Sequence, residues 1–102
     1  MTIATMMSEN GKELSITVDG KFDFSLHQSF KEAYSSFSEQ NMIIILDLSK
    51  TSYLDSSALG MILLLKDHAE KNANKIMIKN PNEAVSKILK IAQFHRLLTI
   101  DG

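Results

Sequence analysis

The stretch Met42-Ile43-Ile44-Ile45-Leu46-Asp47-Leu48-Ser49-Lys50-Thr51-Ser52-Tyr53-Leu54-Asp55-Ser56-Ser57-Ala58-Leu59-Gly60 decides the fold. Its first five residues are continuously apolar and isoleucine-rich, the pattern of a short central strand buried on both faces. Asp55-Ser56-Ser57 then opens a helix predicted over Ser56–Lys71. Asp and Ser favour such a position because their side-chain oxygens satisfy free N–H groups of the first turn. A buried strand feeding a capped helix is the unit of an α/β sheet, where sites collect at the carboxyl ends of strands. Ser49–Ser57 lies at that end.

On the N-terminal side, Leu14, Ile16 and Val18 interleave with Ser15 and Thr17, as in a half-buried strand. Asn10-Gly11 is a hairpin signal, since both residues tolerate positive φ. Strands are predicted near 2–8 and 13–19. Ser25 with Gln28 has the form of a capping box, and Leu26, Phe30, Ala33 and Phe37 follow at helical spacing. Ser38–Asn41 reads as a loop. On the C-terminal side, Asn72-Ala73-Asn74 breaks the second helix and Lys75–Lys79 forms a strand around Ile76 and Ile78. Asn80 is the expected cap of a third helix, with Pro81 in its first turn and Glu83 closing the box. Val85, Ile88, Leu89 and Ala92 form its stripe, and Leu97–Ile100 suits a short last strand. The expected architecture is one α/β domain over 1–102. An N-terminal β-hairpin leads into alternating helices and strands, giving a mixed sheet of four to five strands with helices packed on it.

A chain of 102 residues with 44% hydrophobic content has the length and apolar content of one ordinary core. Net charge −1 argues against a nucleic-acid footprint or a polybasic membrane anchor. The absence of cysteine excludes a disulfide scaffold, a thiolate zinc site and a cysteine nucleophile. The longest apolar runs, Met42–Leu46 and Ala58–Leu65, fall well short of the roughly 20 residues of a membrane span. Met1–Asn10 has no basic region followed by an apolar block, so the expected location is the cytoplasm.

Catalytic signatures are missing. There is no Gly-x-Ser-x-Gly elbow and no glycine-rich phosphate loop. His27, His68 and His95 are isolated, without metal-ligand spacing. Asp23, Asp47 and Asp55 could converge near strand ends, but each has a simpler local role: a loop start, a strand end and a helix cap. The expectation is a protein with no catalytic residue, metal or cofactor.

The second helix carries more than a core stripe. With Ser56 at zero and about 100° per residue, Ala58, Met61, Ile62, Leu65 and Ala69 cluster on the far side. Leu63 and Leu64 fall on the near side with Ser56, Gly60, Asp67 and Lys71. An apolar pair rimmed by polar groups marks a candidate partner surface. A phosphate on Ser56 would add about −1.5 to −2 charges and three acceptor oxygens. A helix N-terminus tolerates that charge, so the fold would survive while the adjacent surface changed sign.

Gly20-Lys21-Phe22-Asp23, Ile43–Leu48, Asp47-Leu48-Ser49 and, most specifically, Asp55-Ser56-Ser57-Ala58-Leu59-Gly60 resemble the STAS domain of anti-sigma factor antagonists. The resemblance covers nearly the whole chain. It implies a non-catalytic partner-switching regulator, phosphorylated by a serine kinase of the anti-sigma factor type and dephosphorylated by a PP2C-type phosphatase. The unphosphorylated form would bind its partner, and the free protein would be a monomer. The family's phosphorylated serine falls on Ser56, with Ser57 the second candidate. Asp23, Asp55, Ser57, Ala58, Gly60, Leu63 and Leu64 would surround it. The family usually has Gly where this chain has Ala58, a better helix former. Two other readings have different consequences. As a scaffold subunit of a transporter or lipid-transport complex, the chain would use Ser56 only as part of a helix cap. A nucleotide-binding domain would need a phosphate cradle that is not evident.

Overall fold

In the computed structural model, which describes residues 2–101, five strands form one sheet in the order β1-β2-β4-β6-β7. Met1 and Gly102, the ends of the expected domain, lie outside the described residues. β1 (Ile3–Met7) and β2 (Glu13–Val18) form the expected antiparallel hairpin, with Ile3 opposite Val18 and Met7 opposite Leu14. β2 pairs in parallel with β4 (Ile43–Asp47), β4 with β6 (Lys75–Lys79), and β6 with β7 (Thr99–Asp101). The helices α1 (His27–Tyr34), α2 (Ser56–Lys71) and α3 (Glu83–Ile91) lie in the connections between those strands. The sheet is therefore mixed and the fold α/β, as the residue pattern predicts.

Register assigns the faces. Leu14, Ile16, Ile44, Leu46 and Ile78 point to one side, where they join Phe30, Ile62, Leu65, Val85 and Leu89 of the helices in a single buried cluster. The same alternation puts Ile43, Ile45 and Met77 on the other side, outside that cluster. The expectation that the central strand is buried on both faces is thus corrected. The helices cover one face, and Ile43 on the other is only half-buried. Ile45 falls to 8% exposure beside its cross-strand neighbours Ser15 and Met77.

Two strands escape the sequence reading. β3 (Gly20–Phe22) and β5 (Thr51–Leu54) pair only with each other, in parallel, as a separate ribbon. Phe22 and Leu54 are its buried residues. Thr51 is also buried, and its hydroxyl donates to the Val18 carbonyl at 2.7 Å, tying the ribbon to the main sheet. Gly20 sits at φ +91, a conformation that disfavours any side chain, at the corner where the chain leaves β2.

Three boundaries also differ. Ser25 does not cap the first helix. Asp23 caps a 3₁₀ turn at Phe24–Leu26, α1 follows it, and Gln28 instead reaches Glu32. Phe37 lies beyond α1, packed against the core from the loop. Asn80 does not cap α3 either. It takes a left-handed turn at φ 55, its N–H donating to the Asp101 carbonyl, while Asn82 caps by accepting from the Val85 N–H at 2.8 Å. Glu83 is then the first helical residue and closes no box. The last strand begins at Thr99, two residues later than expected.

Candidate functional site

The ribbon brings two similar turns together. Phe22 stands beside Leu54 in register, so Asp23 and Asp55 leave the ends of adjacent parallel strands. The Asp55 N–H donates to the Phe22 carbonyl at 3.4 Å, which joins the two ends directly. Each aspartate then caps its own helical turn. Asp23 Oδ1 accepts from the Ser25 N–H and from the Ser25 hydroxyl. Asp55 Oδ1 accepts from the Ala58 N–H at 3.1 Å and from the Ser57 hydroxyl at 2.6 Å. The Ser57 hydroxyl, followed by the Ala58 N–H, holds the Asp55 carboxyl below the usual carboxylate range.

This arrangement separates the two serines. Ser57 is half-buried and its hydroxyl is engaged by Asp55. Ser56 is exposed in the first turn of α2, and no partner holds its hydroxyl among the described residues. The unsatisfied N–H groups and the positive end of the helix dipole face the same corner. Gly60 is exposed one turn further on.

The remaining predicted residues divide by burial. Leu63 and Leu64 are 37% and 52% exposed, while Met61, Ile62 and Leu65 beside them are buried, as the helical wheel requires. Ala58 is wholly buried. Its methyl packs in the core and cannot meet a partner, so it serves the site only through its N–H. A methyl group buried in this way does not narrow the exposed surface.

Sequence reasoning missed two large side chains at this end of the molecule. Phe24, 67% exposed, stacks on the His27 ring at 5.2 Å. Tyr53, 50% exposed, lies in β5 opposite Lys21. Neither position stands out from its neighbours in the sequence, and only pairing of β3 with β5 brings the two stretches together.

The other candidates keep local roles. Asp47 accepts from the Ser49 N–H at 2.9 Å, closing a turn. His68 Nε2 meets the Phe37 carbonyl at 2.7 Å, and His95 is exposed. No group of three or more His, Cys, Asp or Glu among the described residues is placed to hold a metal ion. No helix among them is long and apolar enough to cross a membrane.

Both the sequence and the overall fold match known proteins. The chain belongs to the STAS domain family, whose sequence model matches residues 4–101. It is 43% identical over 100 residues to a STAS-domain containing protein of Pseudomonas aeruginosa (strain UCBPP-PA14), covering 98% of this chain and 99% of that one. Two solved structures share the fold at low identity. The anti-sigma factor antagonist SpoIIAA in its unphosphorylated form matches with TM-score 0.70 and 18% identity, over 96% of this chain and 86% of that one. A sulfate transporter family protein from Wolinella succinogenes matches with TM-score 0.80 and 13% identity, over 94% and 80%. The fold is thus common to anti-sigma factor antagonists and to transporter-associated domains.

Proposed function

We propose that this protein is a non-catalytic partner-switching regulator controlled by phosphorylation of Ser56. The observation that carries the reading is the division of labour at the α2 N-terminus. Asp55 engages the Ser57 hydroxyl and the Ala58 N–H, leaving the neighbouring Ser56 hydroxyl exposed and free. A serine kinase of the anti-sigma factor type would load the site, and a PP2C-type phosphatase would clear it. Both would act in the cytoplasm on a monomer. The unphosphorylated form binds its partner through the surface around Asp23, Gly60, Leu63 and Leu64. A phosphate there opposes burial of the two leucines, and a penalty of about 3 kcal/mol already lowers affinity more than a hundredfold. The likeness to an anti-sigma factor antagonist described in its unphosphorylated form supports this reading.

The test is the intact mass of the protein from its own cells, with fragmentation to place any modification, together with partner affinity of two variants. A phosphoryl group on Ser56 in part of the population is expected. Ser56→Ala should bind the partner like the unmodified protein, and Ser56→Asp should bind it at least tenfold more weakly. An unmodified protein under all growth conditions, with equal affinities for both variants, would overturn the proposal. The likeness to a sulfate transporter family protein favours the scaffold reading in that case. Co-purification with a membrane transporter complex, unaffected by either variant, would then be the expected result.

A further inference from the structure

Phe22, Phe30, Tyr34 and His68 form an aromatic file with ring centroids 4.9, 5.8 and 5.1 Å apart. The file ends at a groove of about 290 Å³ between α1 and α2. That volume is at the lower edge of small-molecule sites. Phe30, Met61 and Tyr34 form its buried wall and half-exposed Leu64 its lip. The Tyr34 ring is largely buried, while its hydroxyl makes no hydrogen bond among the described residues and is open to solvent at the groove. Burial raises its pKa above the ordinary 10.0, so it remains a hydrogen-bond donor at neutral pH.

The groove carries an excess of positive charge. Lys31 and Lys71 line it, with Asp67 the single acid. The one ion pair among the described residues joins Lys66 to Glu70, so both groove lysines are free. His68 is oriented by its contact with the Phe37 carbonyl and by Asn72. An apolar wall, an accessible hydroxyl donor and two unpaired cations together suit an apolar body with one anionic head. A partner helix is a poor fit, because α1 has eight residues and is only about 12 Å long.

We propose that the α1–α2 groove binds a small organic carboxylate with an aryl or short alkyl body. Its head meets Lys31, Lys71 and the Tyr34 hydroxyl, and its body lies against Phe30, Met61 and Leu64. The proposal does not depend on phosphorylation of Ser56.

The test is an NMR titration of the full chain with 3-phenylpropionate and, separately, with the uncharged 3-phenylpropanol. Saturable shifts confined to the groove are expected for the carboxylate, with at least tenfold weaker binding of the alcohol. Lys31→Glu and Lys71→Glu, both exposed and outside the core, should each weaken the carboxylate about fivefold, the effect of losing one surface ion pair. Tyr34→Phe keeps the ring and should weaken it about threefold or more. Failure to saturate, equal binding of the alcohol, or unchanged affinity in the two lysine variants would overturn the site. Unchanged affinity in Tyr34→Phe would overturn the hydroxyl's part in it.

Discussion

One carboxylate oxygen of Asp55 accepts from the Ala58 N–H and from the Ser57 hydroxyl, so it both starts α2 and selects which serine stays free. Asp55→Ala should cost about 1 kcal/mol, the usual value of a helix N-cap. In a domain of this size that lowers the melting temperature by roughly 4–8 °C, readable by circular dichroism. Ser57→Ala removes one of the two bonds and leaves the backbone cap, so its loss should be smaller. A loss from Ser57→Ala equal to that from Asp55→Ala would show that the backbone bond adds nothing. The choice between Ser56 and Ser57 could be posed from residue types but not decided. Both are small polar residues in one helical turn, and only the position of the Asp55 oxygen tells them apart.

At the scale of elements, α2 was the most legible. Its cap and its stripe lie within sixteen consecutive residues, so local periodicity contains the answer. Leu65→Ala, at a fully buried position, should cost about 2–5 kcal/mol. Leu63→Ser, at an exposed one, should change stability by no more than about 0.5 kcal/mol. Chemical denaturation of the two variants checks the contrast. The ribbon was illegible for the opposite reason. A three-residue strand shows no usable period, and β3 finds its partner some thirty residues away. Asn80 and Asn82 present a subtler failure, because Asn suits both a left-handed turn and a cap. The pairing of β6 with β7 makes Asn80 the turn, and the cap passes to Asn82, whose side-chain amide also donates to the Thr51 carbonyl at 2.9 Å. Asn82→Ala therefore loses a cap and a tie between α3 and β5. It should destabilise by about 1–2 kcal/mol, the upper part of the range for caps. The half-covered sheet was misjudged because a run of isoleucines reads alike whether one face or two are buried.

For the molecule as a whole, two groups shape the response to pH. The Asp55 carboxyl is depressed below its ordinary 3.8 in the folded state, so its contribution is complete above that value and is lost as pH falls through the lower, folded one. Tyr34 is raised above 10.0, so its contribution is complete below pH 10.0 and is lost as pH rises beyond it. Melting temperature followed against pH should therefore show an acid shoulder that Asp55→Asn reduces and an alkaline one that Tyr34→Phe reduces, with neither variant altering the other's shoulder. The β3–β5 ribbon has a further consequence, for transplantation. It hydrogen-bonds as its own sheet and is pegged by Phe22 and Leu54, so residues 20–26 and 51–57 form a two-piece cassette. Swapping both pieces between relatives exchanges the Asp23 and Asp55 turns together while leaving the five-stranded chassis intact. Swapping either alone mismatches the parallel register and leaves one peg without its hole.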